Sequence, residues 1–579
     1  MFLRGCRVSR GTLLAGCALG GAIAPPACPS AAAQQHVELV LPAPPGGAPF
    51  TGRAFLFVSY APDATQEPRQ QSGSSATSQP FFGVDVAALP AGGSAVIDAA
   101  TLGFPRASLA ELPAGDVMVQ ALFLPYTEFR RADGRVVWAH MDEWAGQRFN
   151  DAPGAIVSAP RRLRWDPASA GTLRLEATRV LPPVDPPRDT EWVERFRITS
   201  ARVSAFWGHP MPLGATVLLP RGYRANPKKR YPVVYQIGHF SQRAPFGFTL
   251  DGCDRPETEA QRAARLRRSA RETGCDFARA WTKGDVPEMI AVYLLHPTPF
   301  YDDSYVTDSP NHGPYGTALV QELIPEIDRR YRTIAAPHAR LVTGGSTGGW
   351  DALALQVRHP DVFGGAWSLY PDQVDFRRYQ FNDIYADTNA FVRVEGPHLV
   401  QEIPSSRDEA GMVRLTVRQE SQAELVMGTR ARSGGQFDGW VAAWAPVGDD
   451  GYPRPLWDKR TGTIDRAVAE AMRAGGHDLR AHLEANWATL GPKLVGKLHV
   501  AVGDMDNYFL NLACYHLEEF LERTKQPGRG PYYAGSFTYG RPLKPHGWQP
   551  WTNQELLRRM AHHVVEYAPR AAPRAVTRR

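Results

Sequence analysis

Residues 339–355 read Ala-Arg-Leu-Val-Thr-Gly-Gly-Ser-Thr-Gly-Gly-Trp-Asp-Ala-Leu-Ala-Leu and hold a serine in the pattern Gly344-x-Ser346-x-Gly348. A serine at a sharp strand-to-helix turn presents its hydroxyl as a nucleophile, and the backbone closes in so tightly on both sides that glycine is needed there. In a chain with 53 glycines the bare pattern is weak. Its setting singles it out. An apolar run at 341–343 leads in, an apolar helical run at 350–357 leads out before Pro360, and a further strand-like run follows at 365–369.

A serine hydroxyl needs a base to take its proton, normally an imidazole oriented by a carboxylate. For such a turn the expected chain order is serine, acid, histidine. Downstream, the strand-like Lys-Leu-His-Val-Ala-Val at 497–502 ends in Gly503-Asp504-Met505-Asp506-Asn507. An acid just past a strand's C-terminal end sits where open α/β sheets place their chemistry. Asp506 is the favoured acid and Asp504 the alternative, with the unused one expected to cap the helix over 511–523. His546 lies in the loop Lys544-Pro-His-Gly-Trp548, from which a base can reach the serine, whereas His516, His562 and His563 fall within helical patterns. The oxyanion donors are expected from the N–H of Thr347 and from the loop Gly238-His239-Phe240 after an early strand, with His239 a neighbour rather than a base.

The elements that must position these residues alternate as strand, loop and helix, which predicts an α/β domain. Runs at 216–219, 231–237 and 289–295 read as strands. Over 316–331, Leu319, Leu323, Ile324, Ile327 and Tyr331 form one helical stripe, which Pro325 should kink or break. Upstream, short runs at 36–41, 54–59, 116–121 and 172–177 predict an all-β sandwich over 34–180 without a catalytic constellation. The proline-rich stretch 181–190 is the expected linker.

On these motifs the chain resembles the putative esterase family of α/β-hydrolases, which includes S-formylglutathione hydrolases, enterochelin esterases, feruloyl esterases and mycolyltransferases. The resemblance spans roughly 217–567 and rests on Tyr231-Pro-Val-Val-Tyr235, Glu322-Leu-Ile-Pro-Glu326, the Gly344–Gly348 turn and Gly503-Asp-Met-Asp-Asn-Tyr-Phe-Leu510. It implies an α/β-hydrolase domain over 191–569, puts the acid on Asp506 and the base on His546, and implies a small-molecule ester or acylated glycan as substrate, with no cofactor or metal. Two departures stand out. The family's His-Gly pair is reversed here to Gly238-His239, and a stretch of about 373–490 separates the serine's helix from the acid's strand. This insertion carries Trp440, Trp444, Trp457 and Trp487, which either line a pocket as a lid or form the insertion's own core.

The formal charge of +6 would invite a nucleic-acid reading, but three arginines at 1–33 and four at 570–579 account for the excess and leave the body at −1. No strong basic footprint remains. The basic first ten residues, the apolar 11–24 and the Ala-Ala-Ala at 31–33 predict a signal peptide and a periplasmic or secreted protein, with Leu14-Ala-Gly-Cys17 as a competing lipid-anchor reading. Residues 570–579 are expected as a disordered tail, and no run is long and apolar enough to span a membrane. Of the cysteines beyond the leader, Cys253 and Cys275 either pair in an oxidising compartment or stay unpaired, with Cys514 as a buried thiol. The leading expectation is a serine esterase. Acyl transfer or peptide hydrolysis on the same fold, or a non-catalytic carbohydrate- or surface-binding protein, are the alternatives.

Overall fold

In the computed structural model of the chain, the described residues are 36–61, 65–141, 144, 146, 148–267, 272–301 and 304–569. The expected leader, the expected basic tail and residues 268–271 lie outside them.

The N-terminal portion is strand-rich because its sequence alternates with period two. Val37 and Leu39 of His36–Val40, Ala95 and Ile97 of Ser94–Ile97, and Leu173 and Leu175 of Thr172–Glu176 all point to one face of a three-stranded sheet. That face shares a core with Leu56 and Val58 of Phe50–Ser59 and with Val117, Val119 and Ala121 of Gly115–Pro125, two central strands of a seven-stranded sheet. These central strands are apolar on both faces. The second face, with Phe55, Phe57, Phe81, Leu122 and Leu124, packs on Ala423, Val426 and Met427, which belong to a helix far along the chain, Val417–Met427.

Charge fixes the same contact. The buried Arg53 donates to the carbonyls of Leu425 at 2.8 Å and Val426 at 2.9 Å, which end that helix without intrahelical partners, and pairs with Asp85 at 2.7 Å. The strand-rich portion therefore holds part of the 373–490 stretch in place. Residues 182–191, between the short strand Arg179–Val180 and the strand Val193–Thr199, carry no helix or strand.

His140 stacks on Tyr301 at 4.1 Å between ring centroids, close to this junction. Burial holds its pKa at about 3, and burial also lowers His499 to about 4 and His477 well below its ordinary value. These rings stay neutral in the fold and take up a proton when the chain unfolds below pH ~6.5. Stability should therefore fall on acidification, each such group steepening the slope by up to about 1.4 kcal/mol per pH unit between ~6.5 and its folded pKa. Thermal melts from pH 7 to 5 should show a falling midpoint, and His140→Phe should flatten that dependence; an unchanged slope would count against this role for His140.

The C-terminal portion is built on one mixed sheet of eight strands: β1 Val193–Thr199, β2 Pro212–Leu218, β3 Val233–Ile237, β4 Ile290–Leu295, β5 Arg340–Gly345, β6 Gly365–Leu369, β7 Leu498–Gly503 and β8 Ser536–Gly540. Their spatial order is β1-β2-β4-β3-β5-β6-β7-β8, antiparallel at β1/β2 and β2/β4 and parallel elsewhere. Parallel strands need covering on both faces, and β3 to β6 are accordingly buried along most of their length. The helical stripe at 319–327 is buried as its periodicity predicts, and Pro325 follows a π-helical turn at Leu319–Leu323 that separates Tyr315–Ala318 from Ile324–Arg330. Cys253 and Cys275 are disulfide-bonded and Cys514 is a buried free thiol whose pKa burial pushes up.

Between β6 and β7 the chain forms two hairpins, Val392–Glu395 with Leu399–Glu402 and Pro404–Arg407 with Val413–Thr416, then helices that include Val417–Met427, Gln436–Trp444 and Leu479–Leu494. Its tryptophans are mostly core. Trp444 packs on Trp350 at 4.9 Å, Trp457 donates to Ser421 Oγ at 3.1 Å, and Trp487 donates to the carbonyl of Pro531 at 3.1 Å.

Beneath them Lys459 bridges two carboxylates, Glu424 and Asp438, all three side chains being almost fully buried. Burial pushes Glu424 above its ordinary value, against the pull of Lys459. Lys459→Met would leave both acids without a cation, which costs about 3–5 kcal/mol for a broken buried pair. The expected result is a clear drop in unfolding midpoint in a denaturant titration; a midpoint equal to wild type would mean that solvent already screens the cluster.

Candidate active site

The parallel strands bring several loop ends to one edge of the sheet, and the residues singled out by sequence lie there. Ser346 links β5 to the helix α1 Thr347–Arg358 with φ 60° and ψ −125°, a strained conformation for a side chain with a Cβ. Two glycines make the turn possible. A Cβ on Gly348 would come within 1.9 Å of the carbonyl oxygen of Ile237, and one on Gly344 would lie 2.4 Å from the carbonyl oxygens of Gly348 and Ile237. The N–H of Thr347 opens α1, where amides lack intrahelical acceptors and the helix dipole favours negative charge.

Asp506 follows β7 and is fully buried. Its Oδ2 lies 2.8 Å from His546 Nδ1, while its Oδ1 accepts from the N–H of Tyr508 at 2.9 Å and of Leu510 at 3.4 Å. Both carboxylate oxygens are thus held, and one is committed to the imidazole. Asp504 does different work from the helix cap expected of the unused acid. Its Oδ1 accepts from the N–H of Lys544 at 2.9 Å and so pins the loop that carries His546; the helix Leu510–Arg523, labelled α2, has Phe509 at its N-cap instead.

His546 is partly buried between Tyr370 and Tyr508, with ring centroids at 4.8 and 5.0 Å in edge-on geometry. Its own N–H donates to Asn507 Oδ1 at 2.9 Å, and Asn507 Nδ2 donates to the carbonyl of Arg407 at 2.7 Å. Arg407 Nε in turn donates to the carbonyl of Asp506 at 3.0 Å. The second hairpin of the 373–490 stretch therefore clamps the acid–histidine loop.

The serine and the histidine share a neighbour. Tyr370 packs on His546, and its hydroxyl would lie 2.3 Å from a Cβ on Gly345, beside the serine. Among the described residues, however, the bond made by Ser346 Oγ runs to Asp372 Oδ1 at 3.4 Å, not to His546. Asp372 was not marked out by any motif. It lies in the loop after β6, three residues past the strand's end, as Asp506 does after β7, and that placement is the signal that could have found it.

Gly238 and His239 follow β3. Gly238 is buried, His239 is exposed, and the carbonyl of His239 accepts from the Tyr293 hydroxyl at 2.8 Å. His239 Nε2 is 3.4 Å from Thr347 Oγ1, so this loop lies against the first turn of α1, near the expected oxyanion position. A cavity of about 840 Å³ opens elsewhere, lined by Phe437, Val441, Tyr452, Trp457 and Lys459 and not by Ser346, Asp372, Asp506 or His546. Among the described residues no cluster of side chains has the make-up of a metal site.

A strained serine between close-packed glycines and an acid–histidine pair at the same sheet edge are the residue types from which a serine hydrolase can be built. Residues 208–374 match the family model described as "Putative esterase". That segment runs from just before β2 through the serine turn to the loop containing Asp372, while Asp506 and His546 lie beyond it. The match supports a serine ester hydrolase. No curated protein matches the chain. Solved structures similar to it include a fluorophosphonate-binding serine hydrolase of Staphylococcus aureus (13% identity, 64% of this chain and 98% of that one, TM-score 0.32). Others are an S-formylglutathione hydrolase from Agrobacterium tumefaciens (11%, 65% and 97%, TM-score 0.30) and a ferulic acid esterase from Anaeromyces mucronatus in complex with ferulic acid (12%, 64% and 88%, TM-score 0.26). At these identities and scores none of their substrates is carried over to this chain.

Proposed function

We propose that the chain is an exported serine esterase on an α/β-hydrolase sheet, with Ser346 as nucleophile, His546 as base and Asp506 as the acid that orients it. The observation that carries this reading is the 2.8 Å Asp506–His546 pair at the same sheet edge as the strained Ser346. The strand order and the family match support it.

In this reading Ser346 Oγ turns from Asp372 to His546 Nε2, gives up its proton there and attacks the ester carbonyl. The oxyanion is held by the Thr347 N–H, at the positive end of α1, with a second donor from the Gly238–His239 loop. His546, now an imidazolium stabilised by Asp506, returns the proton to the departing alcohol. Water then gives a proton to His546 as it attacks the acyl-serine, and His546 passes that proton to Ser346 Oγ as the C–Oγ bond breaks and the acid leaves. Export is supported by the signal-like leader and by the Cys253–Cys275 disulfide, a bond that persists in oxidising compartments. The substrate class is a small ester or an acylated glycan.

The test is labelling with a fluorophosphonate probe and mapping of the modified peptide, alongside hydrolysis of short nitrophenyl esters. Label on Ser346 together with ester turnover is the expected result. A protein that turns over esters but carries the label elsewhere, or none, would overturn the assignment.

A further inference from the structure

Asp372 is a buried carboxylate at the nucleophile that the relay above does not use. The residue is 2% exposed, and its two carboxylate oxygens are treated very differently. Oδ2 accepts from Tyr305 Oη at 2.8 Å, Trp440 Nε1 at 2.9 Å, Thr347 Oγ1 at 3.1 Å and Gln436 Nε2 at 3.3 Å. Oδ1 receives the single long contact from Ser346 Oγ at 3.4 Å. Four donors lock the group in place and leave one oxygen aimed at the reacting atom with accepting capacity to spare.

Every one of these donors is neutral. Among the described residues no lysine or arginine forms an ion pair with Asp372, and the ring nitrogen of His239 is separated from it by the Thr347 hydroxyl. A carboxylate so placed works against the chemistry it adjoins. The oxyanion that forms on the substrate carbonyl is a second negative charge beside the first, in surroundings where such repulsion is poorly screened. A cation supplied by the substrate would reverse the sign of that effect.

Geometry limits where the cation can be. Once the acyl carbon is bonded to Ser346 Oγ, a substituent on the next carbon is three bonds from Oγ. Oδ1 lies 3.4 Å from Oγ in the resting side chain, and the turn of Oγ to His546 shifts it by no more than about 2.3 Å, so a nitrogen there still closes a triangle with a normal N–H···O distance of about 2.8–3.0 Å. A group farther along the acyl chain would have to fold back to reach the same oxygen.

We propose that Asp372 is a specificity-determining residue that binds a protonated amine on the acyl part of the substrate, next to the scissile carbonyl, so that the preferred substrates are aminoacyl esters. Tyr305, Gln436 and Trp440 act through Asp372 as positioning residues; the last two stand on the helix Gln436–Trp444, which links the 373–490 stretch to substrate choice. The proposal rests on Ser346 being the nucleophile.

The test compares alanine p-nitrophenyl ester with p-nitrophenyl isobutyrate, in which a methyl replaces the ammonium, at about pH 6.5, where an α-amino group is protonated. In Asp372→Asn the four donors hold the amide oxygen at the Oδ2 position. The amide nitrogen then takes the Oδ1 position, where it donates and repels an ammonium. The ratio of kcat/KM for the two esters should be at least about thirtyfold higher in wild type than in Asp372→Asn, as for loss of one partner of a buried charged contact. Ratios equal within about threefold, in proteins that both take the fluorophosphonate label, would make Asp372 a structural latch and overturn the proposal.

Should Asp372→Asn not fold, wild type alone decides. The free amino ester and its N-acetylated form are compared, each rate divided by that of hydroxide hydrolysis, and a corrected preference below about threefold sinks the idea. A wild type that takes no label on Ser346 removes the nucleophile, and with it both this inference and the function it rests on.

Discussion

Ser346→Ala is expected to lower kcat/KM for a nitrophenyl ester by about 10⁴-fold or more and to abolish fluorophosphonate labelling. The reasoning is chemical rather than conformational. Alanine has a Cβ like serine, so it bears the same strain at φ 60° and the turn should persist, held by the close approach of Gly344 and Gly348 to the Ile237 carbonyl. Only Oγ is lost, and with it the covalent route. What remains is binding and the Thr347 N–H, which together account for a modest residual rate. Near-wild-type turnover by a well-folded Ser346→Ala protein would place the reaction at another residue.

Asp506→Asn should cost about 10⁴-fold in kcat, and Asp504→Asn less than about tenfold. The difference follows from which donors each side chain faces. At Asp506 the N–H groups of Tyr508 and Leu510 would keep the amide oxygen at the Oδ1 position and turn the amide nitrogen toward His546 Nδ1. That nitrogen donates, so His546 would carry its proton on Nε2 and could no longer accept one from Ser346. At Asp504 the side chain, among the described residues, accepts from the N–H of Lys544, a bond that an asparagine oxygen can also make. Steady-state kinetics on the two variants, with thermal melts as a folding control, separate the roles. If Asp504→Asn were the more damaging of the two, the acid would be assigned wrongly.

Much of this site is legible along the chain because its parts are local. The serine turn needs glycines at fixed offsets, and the acid and histidine follow strand ends in the order such a turn requires, so Ser346, His546 and an acid at Asp506 or Asp504 can be named from residue types and spacing. The central strands are legible for a similar reason: at β4, burial on both faces leaves an unbroken apolar run. The outermost strands are not. Val193–Thr199 and Ser536–Gly540 mix charged or polar residues with apolar ones, and strand pairing to a single neighbour is what makes them strands.

Asp372 shows the other limit. Its sequence neighbours form no motif, and its meaning comes from Tyr305, Thr347, Gln436 and Trp440, which meet only when the stretch after β6 folds back over the turn. The same holds for the strand-rich portion, whose second apolar face finds its cover on the helix Val417–Met427, hundreds of residues away. By itself the sequence determined the chemistry on offer: a serine in a strained turn, an acid, a base and their order, because each depends on residue type and near neighbours. Only the tertiary structure decided which aspartate meets His546, where the resting Ser346 hydroxyl points, and that a second buried carboxylate faces it, because those contacts join residues from separate strand ends and an insertion that no local pattern connects.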